Sequence, residues 1–106
     1  MALVFGEIAQ RNPAAATLED LYTVPALTQI AARITVANRS GVATSFRIAV
    51  AIAGAADSVE QYKAYDTPIL GNDIYEKMIT ANAADVIRVR ATLATLSFTL
   101  DGAKRT

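Results

Sequence analysis

Acidic side chains are the residues of this sequence with the clearest potential for chemistry. Asp57 with Glu60, and Asp66 with Asp73, lie close enough along the chain to meet across a loop and hold a hard cation. Calcium takes about six to eight oxygen ligands, and neither pair has the spacing of a known calcium loop. The sequence therefore predicts solvated loop carboxylates and turn caps at these positions, with no bound metal.

The other routes to catalysis lack a necessary partner. Glu19 and Asp20 are sequence neighbours, so on a strand they point to opposite faces. The chain has no histidine and no cysteine, and Lys63, Lys77 and Lys104 have no serine at a telling spacing. Its five glycines are scattered and form no phosphate-binding loop. These observations predict a protein that is not an enzyme and uses no cofactor.

The charge balance favours protein partners over nucleic acid. Ten basic and ten acidic residues give zero formal net charge, and no block of like charge stands out. A neutral, alanine-rich surface lacks the self-repulsion that keeps monomers apart, so we expect a homo-oligomer. No apolar run approaches the ~20 residues that cross a bilayer. The first residues also lack a basic segment before an apolar one, so we expect synthesis in the cytoplasm and no membrane partner.

Period-two alternation of apolar and polar residues recurs in segments 33–37, 45–52, 85–91 and 96–101. This pattern predicts half-buried strands. The residues expected to face the core are Ile34, Val36, Phe46, Ile48, Val50, Ile87, Val89, Leu96, Phe98 and Leu100. Segments 18–24, 61–70 and 74–79 complete an all-β, single-domain antiparallel β-sandwich, jelly-roll or immunoglobulin-like, of about seven to eight strands. Segments 82–85 and 93–95 are short enough for hairpin links.

The N-terminal segment 1–16 ends in Asn12-Pro13-Ala14-Ala15-Ala16, and we expect an arm that precedes a sandwich domain at 17–106. Leu3, Phe5 and Ile8 would then contact a neighbouring subunit. Segment 53–60 fits either a loop or a short helical turn. Asn38-Arg39-Ser40 matches the N-glycosylation pattern and is better explained as a turn.

Two sets of outward residues are further candidates for subunit contacts. Ala49 and Ala51 are small where a solvent-facing strand usually carries polar residues, which indicates either a docked neighbour or a covering arm or loop. Basic side chains provide the second set, and its members are Arg47, Arg88, Arg90, Lys104 and Arg105. A receptor- or carbohydrate-binding module would need exposed aromatic residues. The strand positions of its only candidates, Tyr62, Tyr65 and Tyr75, favour packing instead.

Segments 21–26, 34–40, 44–50, 61–66, 71–73, 85–89 and 96–102 together resemble, in order, small β-sandwich accessory structural proteins of tailed-bacteriophage virions, cyanophages included. Two departures are Leu27 where that pattern has glycine, and the basic end at Lys104 and Arg105. The resemblance implies a virion protein present in several copies and bound to other virion structural proteins. A tail, baseplate or fibre position is preferred, with a head decoration (cement) protein as the alternative.

Overall fold

A computed structural model describes residues 2–106 as two four-stranded antiparallel sheets packed face to face. The strands are β1 (Leu3–Arg11), β2 (Glu19–Thr23), β3 (Gln29–Asn38), β4 (Thr44–Ala51), β5 (Tyr62–Ile69), β6 (Ile74–Ala81), β7 (Val86–Ala91) and β8 (Leu96–Arg105). The first sheet has the order β1-β8-β3-β6 and the second β2-β7-β4-β5. The predicted all-β sandwich is confirmed. Among the described residues, no helix is long and apolar enough to cross a membrane.

The strand order is that of a jelly roll. Strand β4 pairs with β5, β3 with β6, β2 with β7 and β1 with β8, so the chain is one long hairpin whose two halves stay paired as it is rolled up. Two further pairings, β3 with β8 and β4 with β7, close the roll into two sheets. Of the two predicted architectures, the jelly roll is therefore the one that forms.

Rolling up the hairpin changes the role of two connections. The predicted hairpin links at 82–85 and 93–95 lie in connections between strands of different sheets, so the prediction is wrong as to what they connect. The buried Asp85 holds the first of them, because its carboxylate accepts hydrogen bonds from the amides of Asn82 at 2.9 Å and Ala53 at 3.0 Å. Sequence spacing gives the length of a link but not the sheet that the next strand joins.

The core lies between the sheets and consists of the inward residues of the alternating strands. The ten residues expected to face the core are buried, but Ile52, which the alternation of segment 45–52 also predicts to face inward, is 76% exposed because β4 ends just before it and a 3-10 turn begins. Phe46 lies at the centre, with its ring 4.9 Å from Tyr75 and 6.3 Å from Phe98, in tilted and edge-on arrangements that aromatic pairs prefer. Alternation therefore identified the core correctly, because each strand exposes one face and buries the other.

The predicted arm is instead part of the sandwich. Residues 3–11 form β1, paired along its length with β8, and Pro13 is fully buried. Ala15 bridges to Ala91, which ties the following segment to the second sheet as well. Alternation was masked by Gly6 and by a bulge between Glu7 and Ala9, after which the side chains change faces. A boundary between an arm at 1–16 and a domain at 17–106 does not exist in the fold.

Segment 52–61 contains two single turns of 3-10 helix, Ile52–Gly54 and Val59–Gln61, joined by an irregular stretch. Both predicted possibilities, a loop and a short helical turn, are thus present in it. Ala53 has a φ of 53°, in the left-handed region that costs a residue with a Cβ some free energy. This segment connects β4 to β5. Its contacts with Arg88 place it over part of the second sheet's outer face.

Candidate interaction surfaces

The carboxylates that the sequence offered for chemistry each have a local structural partner. Asp57 accepts a hydrogen bond from the Tyr62 hydroxyl at 2.8 Å, and Asp73 accepts one from the amide of Ile74 at 2.8 Å. Glu60 accepts one from the Ser58 hydroxyl, which lowers the pKa of Glu60. Within residues 2–106, no three acidic side chains lie close enough to hold a metal ion.

Glu19 has a structural role at the end of β1. Its carboxylate accepts hydrogen bonds from the Ala14 amide at 2.7 Å and from Arg11 at 2.6 Å. The hydrogen bond from Ala14, and to a smaller extent the one from Arg11, lowers the pKa of Glu19 below its ordinary value. The ion pair joins the first sheet to the second, so this end of β1 is closed.

The alanines of β4 are not an interaction surface. Ala49 and Ala51 have no solvent exposure, although they lie on the face of the second sheet that points away from the core. Arg88, the cross-strand partner of Ala49, donates hydrogen bonds to the carbonyl oxygens of Ala55 at 2.8 Å and Gly54 at 3.4 Å. Segment 52–61 therefore covers these alanines, as the alternative of a covering loop predicted.

Arg88 is consequently engaged in contacts within the fold, and its predicted interface role stays a prediction. Its guanidinium also lies 3.3 Å from the Asp20 carboxylate, and its side chain is only 16% exposed. Arg47 and Arg90 face each other across β4 and β7 on the remaining half of the same outer face. Arg88 lies two residues from Arg90 on the same face of β7, but its hydrogen bonds engage it with segment 52–61.

Arg47 belongs to a cluster with two residues of a β-bulge in β5. Tyr65 and Asp66 lie opposite Arg47 where the register shifts, and Asp66 has a φ of 50°. Arg47 donates two hydrogen bonds to the Asp66 carboxylate, at 2.6 and 3.1 Å, and its guanidinium lies 4.0 Å from the centre of the Tyr65 ring. The hydrogen bonds to Arg47 lower the pKa of Asp66 below its ordinary value.

The three tyrosines have different environments. Tyr75 packs on the core beside Phe46, as the sequence predicted. Tyr62 and Tyr65 lie outside the sandwich with their rings edge to face, 4.9 Å apart, and Tyr65 is 53% exposed. Burial, and then the hydrogen bond to Asp57, raise the pKa of Tyr62. Tyr62 and Tyr65 are therefore exceptions to the expectation that the tyrosines pack inside.

The glycosylation-like triplet is a structural turn. Asn38 is buried, and its side-chain amide donates hydrogen bonds to the carbonyl oxygens of Val42 at 2.8 Å and Leu70 at 3.1 Å. The side-chain oxygen of Asn38, Oδ1, accepts a hydrogen bond from the backbone amide of Ser40 at 3.1 Å. The side chain thus ties the β3–β4 and β5–β6 connections together, which explains the residue type at this position.

Four of the predicted contact residues meet at one end of the first sheet. Leu3 is the cross-strand partner of Arg105, while Phe5 lies beside Ala103 and, one strand further, Ala31. Lys104 lies between them on the opposite face of β8, which continues to Arg105, so the basic end is a strand and not a tail. We call the residues Leu3, Val4, Phe5, Ala31, Ala103 and Arg105 the β1 corner, in which Val4 lies on the same face as Lys104 and the others lie on the outer face.

The β1 corner is open and largely apolar. Leu3 and Val4 are each 55% exposed and Phe5 is 73% exposed, and Ala31 is exposed as well. Ile8, the remaining predicted contact residue, lies within the bulge and is half-buried against the core. Sequence reasoning missed Val4, Ala31 and Ala103. The signal for Ala31 was available, since it continues the outward set of β3 that includes Arg33 and Thr35.

Comparison of the chain with protein-family models, with curated proteins and with solved structures finds no match.

Proposed function

We propose that this protein is a non-enzymatic structural subunit of a tailed-phage virion. It is made in the cytoplasm of the host bacterium and incorporated in several copies through protein–protein contacts, with other virion structural proteins as partners. The observation that carries this proposal is the β1 corner, where three consecutive apolar residues of an edge strand are more than half exposed. Exposed apolar edges of this kind are typical of surfaces that pair with another protein chain.

The fold agrees with this role by analogy. Jelly rolls form viral capsid proteins, and they also form lectins and cupins. Because one fold supports many functions, the surface has to decide between them. The carboxylates of the loops and turns are engaged in local hydrogen bonds, so the surface offers a partner apolar area and backbone groups in place of reactive ones.

Position on the particle is the finer part of the proposal. The resemblance over residues 17–102 concerns virion origin and not position, and between the positions we prefer the tail, baseplate or fibre. Head decoration is the alternative, in which copies bound to the capsid lattice would stabilise the shell by adding buried area. Both positions require the same property of the chain, which is a surface that packs against other subunits.

Electron microscopy of intact particles labelled with an antibody to this chain tests the proposal. We expect label at the tail or its tip. Label spread over the capsid would support decoration and overturn the preferred position. As a control, the chain should be detected by mass spectrometry in purified particles that have not been labelled. Its absence from those particles would overturn the virion role itself.

Tyr65 supports a second candidate, a receptor- or carbohydrate-binding module. Its ring is 53% exposed beside Arg47 and Asp66, and an exposed aromatic ring flanked by polar groups is a common way to bind a sugar. Titration with glycans while following tyrosine fluorescence tests this candidate. A saturable change that is lost in Tyr65→Ala and kept in Tyr75→Phe would favour it over the structural role. No change at millimolar glycan would exclude it.

A further inference from the structure

Within residues 2–106, one edge of β1 has backbone groups without a partner strand. Ala2 and Thr106 exchange two backbone hydrogen bonds, at 3.1 and 2.9 Å, so they are a hydrogen-bonded pair of the β1–β8 ladder. Such pairs alternate along antiparallel strands. The N–H and C=O groups of Val4 and Gly6 therefore point to β8, while those of Leu3, Phe5 and Glu7 point away from it to the open edge, since β1 is the outermost strand of its sheet.

The usable part of this edge is short and well defined. It ends at the bulge between Glu7 and Ala9, beyond which Arg11 is held by Glu19 of β2 at 2.6 Å. Residues 3–7 are thus the stretch at which another strand can pair without meeting the second sheet. Natural edge strands are usually protected by charge, proline or a bulge. Here residues 3–6 carry none of these, and the first charge is Glu7.

A second copy of this chain fits the edge better than an arbitrary strand. Antiparallel pairing about a two-fold axis at Phe5 places Phe5 opposite Phe5 of the second copy and Leu3 opposite Glu7 of the second copy. This is the register that uses all three pairs of free backbone groups. Isologous contacts of this kind are the commonest in homo-oligomers. The outcome would be one eight-stranded sheet across two sandwiches.

The charges at the two ends of the edge are complementary in this register. Leu3 is adjacent to Arg105 on β8, and Glu7 is adjacent to Asp101. The two-fold axis therefore places Arg105 of one copy in the same cross-strand row as Glu7 and Asp101 of the second copy. The symmetry produces two such rows, one at each end of the paired stretch. An axis at Glu7 would instead place two carboxylates opposite each other, which is unfavourable.

We infer that β1 is a self-association edge, through which two copies pair antiparallel over residues 3–7. The inference deepens the proposed function, because it names the contact between copies of a subunit incorporated several times. The paired stretch is short, so the interface is smaller than the ~1,600 Å² of a standard stable complex. We therefore expect an association that depends on protein concentration.

Cross-linking tests the register directly, because the native chain has no cysteine. In a hydrogen-bonded antiparallel pair the two Cα atoms lie about 5.5 Å apart, within reach of a disulfide or a short bismaleimide. Phe5→Cys should form a covalent dimer at least tenfold faster than the matched control Ile74→Cys. Ile74 is 58% exposed on β6, at the opposite edge of the same sheet. Equal rates for the two variants would overturn the inference.

Two further measurements complete the test. A mixture of Leu3→Cys and Glu7→Cys should give mainly the mixed dimer, and a preference for like pairs would contradict the register. Phe5→Lys should shift the mass seen by light scattering towards the monomer, with an unchanged circular dichroism spectrum. Unchanged association in that variant would also overturn the inference.

The outcomes separate this inference from the proposed function. If purified protein stays monomeric and uncross-linked while antibody labels the particle, the edge belongs to another partner and only the self-association fails. If the dimer forms but the chain is absent from particles, the self-association stands and the virion role fails.

Discussion

Small outward residues are buried on the outer face of one sheet and exposed on that of the other. In the second sheet, Ala49 and Ala51 are fully buried beneath segment 52–61, which Arg88 holds by its hydrogen bonds to Gly54 and Ala55. In the first sheet, Ala31 lies in an equivalent outward position next to Ala103 and remains exposed. The same residue type is therefore covered by the chain itself on one side and left open on the other.

The difference shows what a row of outward alanines means. Small side chains allow another backbone to approach closely, so they mark a place where something packs, but they do not identify it. On β4 the covering segment directly follows the strand and needs no partner. Around Ala31 and Ala103 the same chemistry remains available to a second molecule, beside the open edge of β1.

Replacing an alanine by leucine on each face would distinguish the covered surface from the open one. Ala49→Leu inserts three carbon atoms into a site with no exposure, and we expect a loss of about 2 kcal/mol in the free energy of unfolding. Ala31→Leu is the matched change on the exposed face and should alter that energy by less than about 0.5 kcal/mol. Urea denaturation followed by circular dichroism measures both. Equal losses would mean that the two faces do not differ as described.

The sequence predicted the core and the strands well but located the exposed apolar edge of β1 only in part. Alternation determines which face of a strand is buried, so residues such as Phe46 and Leu100 were identified correctly. The pairing of β1 with β8 depends on contacts across nearly the whole chain, and Gly6 and the bulge hide its pattern. The cover over Ala49 likewise depends on where segment 52–61 folds back, which local composition does not encode.

Weakening the contacts of segment 52–61 should reveal the difference between the two outer faces by a second measurement. Arg88→Ala removes the hydrogen bonds to segment 52–61, and we expect a loss of about 1 kcal/mol in stability. The amides of that segment should exchange with deuterium faster, while those of β3 keep their rates. Arg33→Ala is the control, since its ion pairs with Glu76 at 3.2 Å and Asp101 at 3.3 Å lie on the open face. Unchanged exchange in Arg88→Ala would show that something else holds the cover.

The smallest effect concerns the uncovered half of the second sheet, where Arg47 and Asp66 pair. Because Arg47 lowers the pKa of Asp66 in the folded protein, this pair contributes stability above the carboxyl's ordinary pKa and loses it as the pH falls through the folded value. Arg47→Met should raise the pKa of Asp66 towards its ordinary value in an NMR titration.

On acidification, the free energy of unfolding of Arg47→Met should fall less than that of the native chain. In the variant the pKa of Asp66 is nearly equal in the folded and unfolded states, so protonation of Asp66 no longer costs stability. Arg33→Met removes the same charge from the first sheet and should leave the pKa of Asp66 where it was. If Arg33→Met shifts the pKa as much as Arg47→Met does, then net charge governs that pKa. The hydrogen bonds from Arg47 to Asp66 would in that case not account for the lowered pKa.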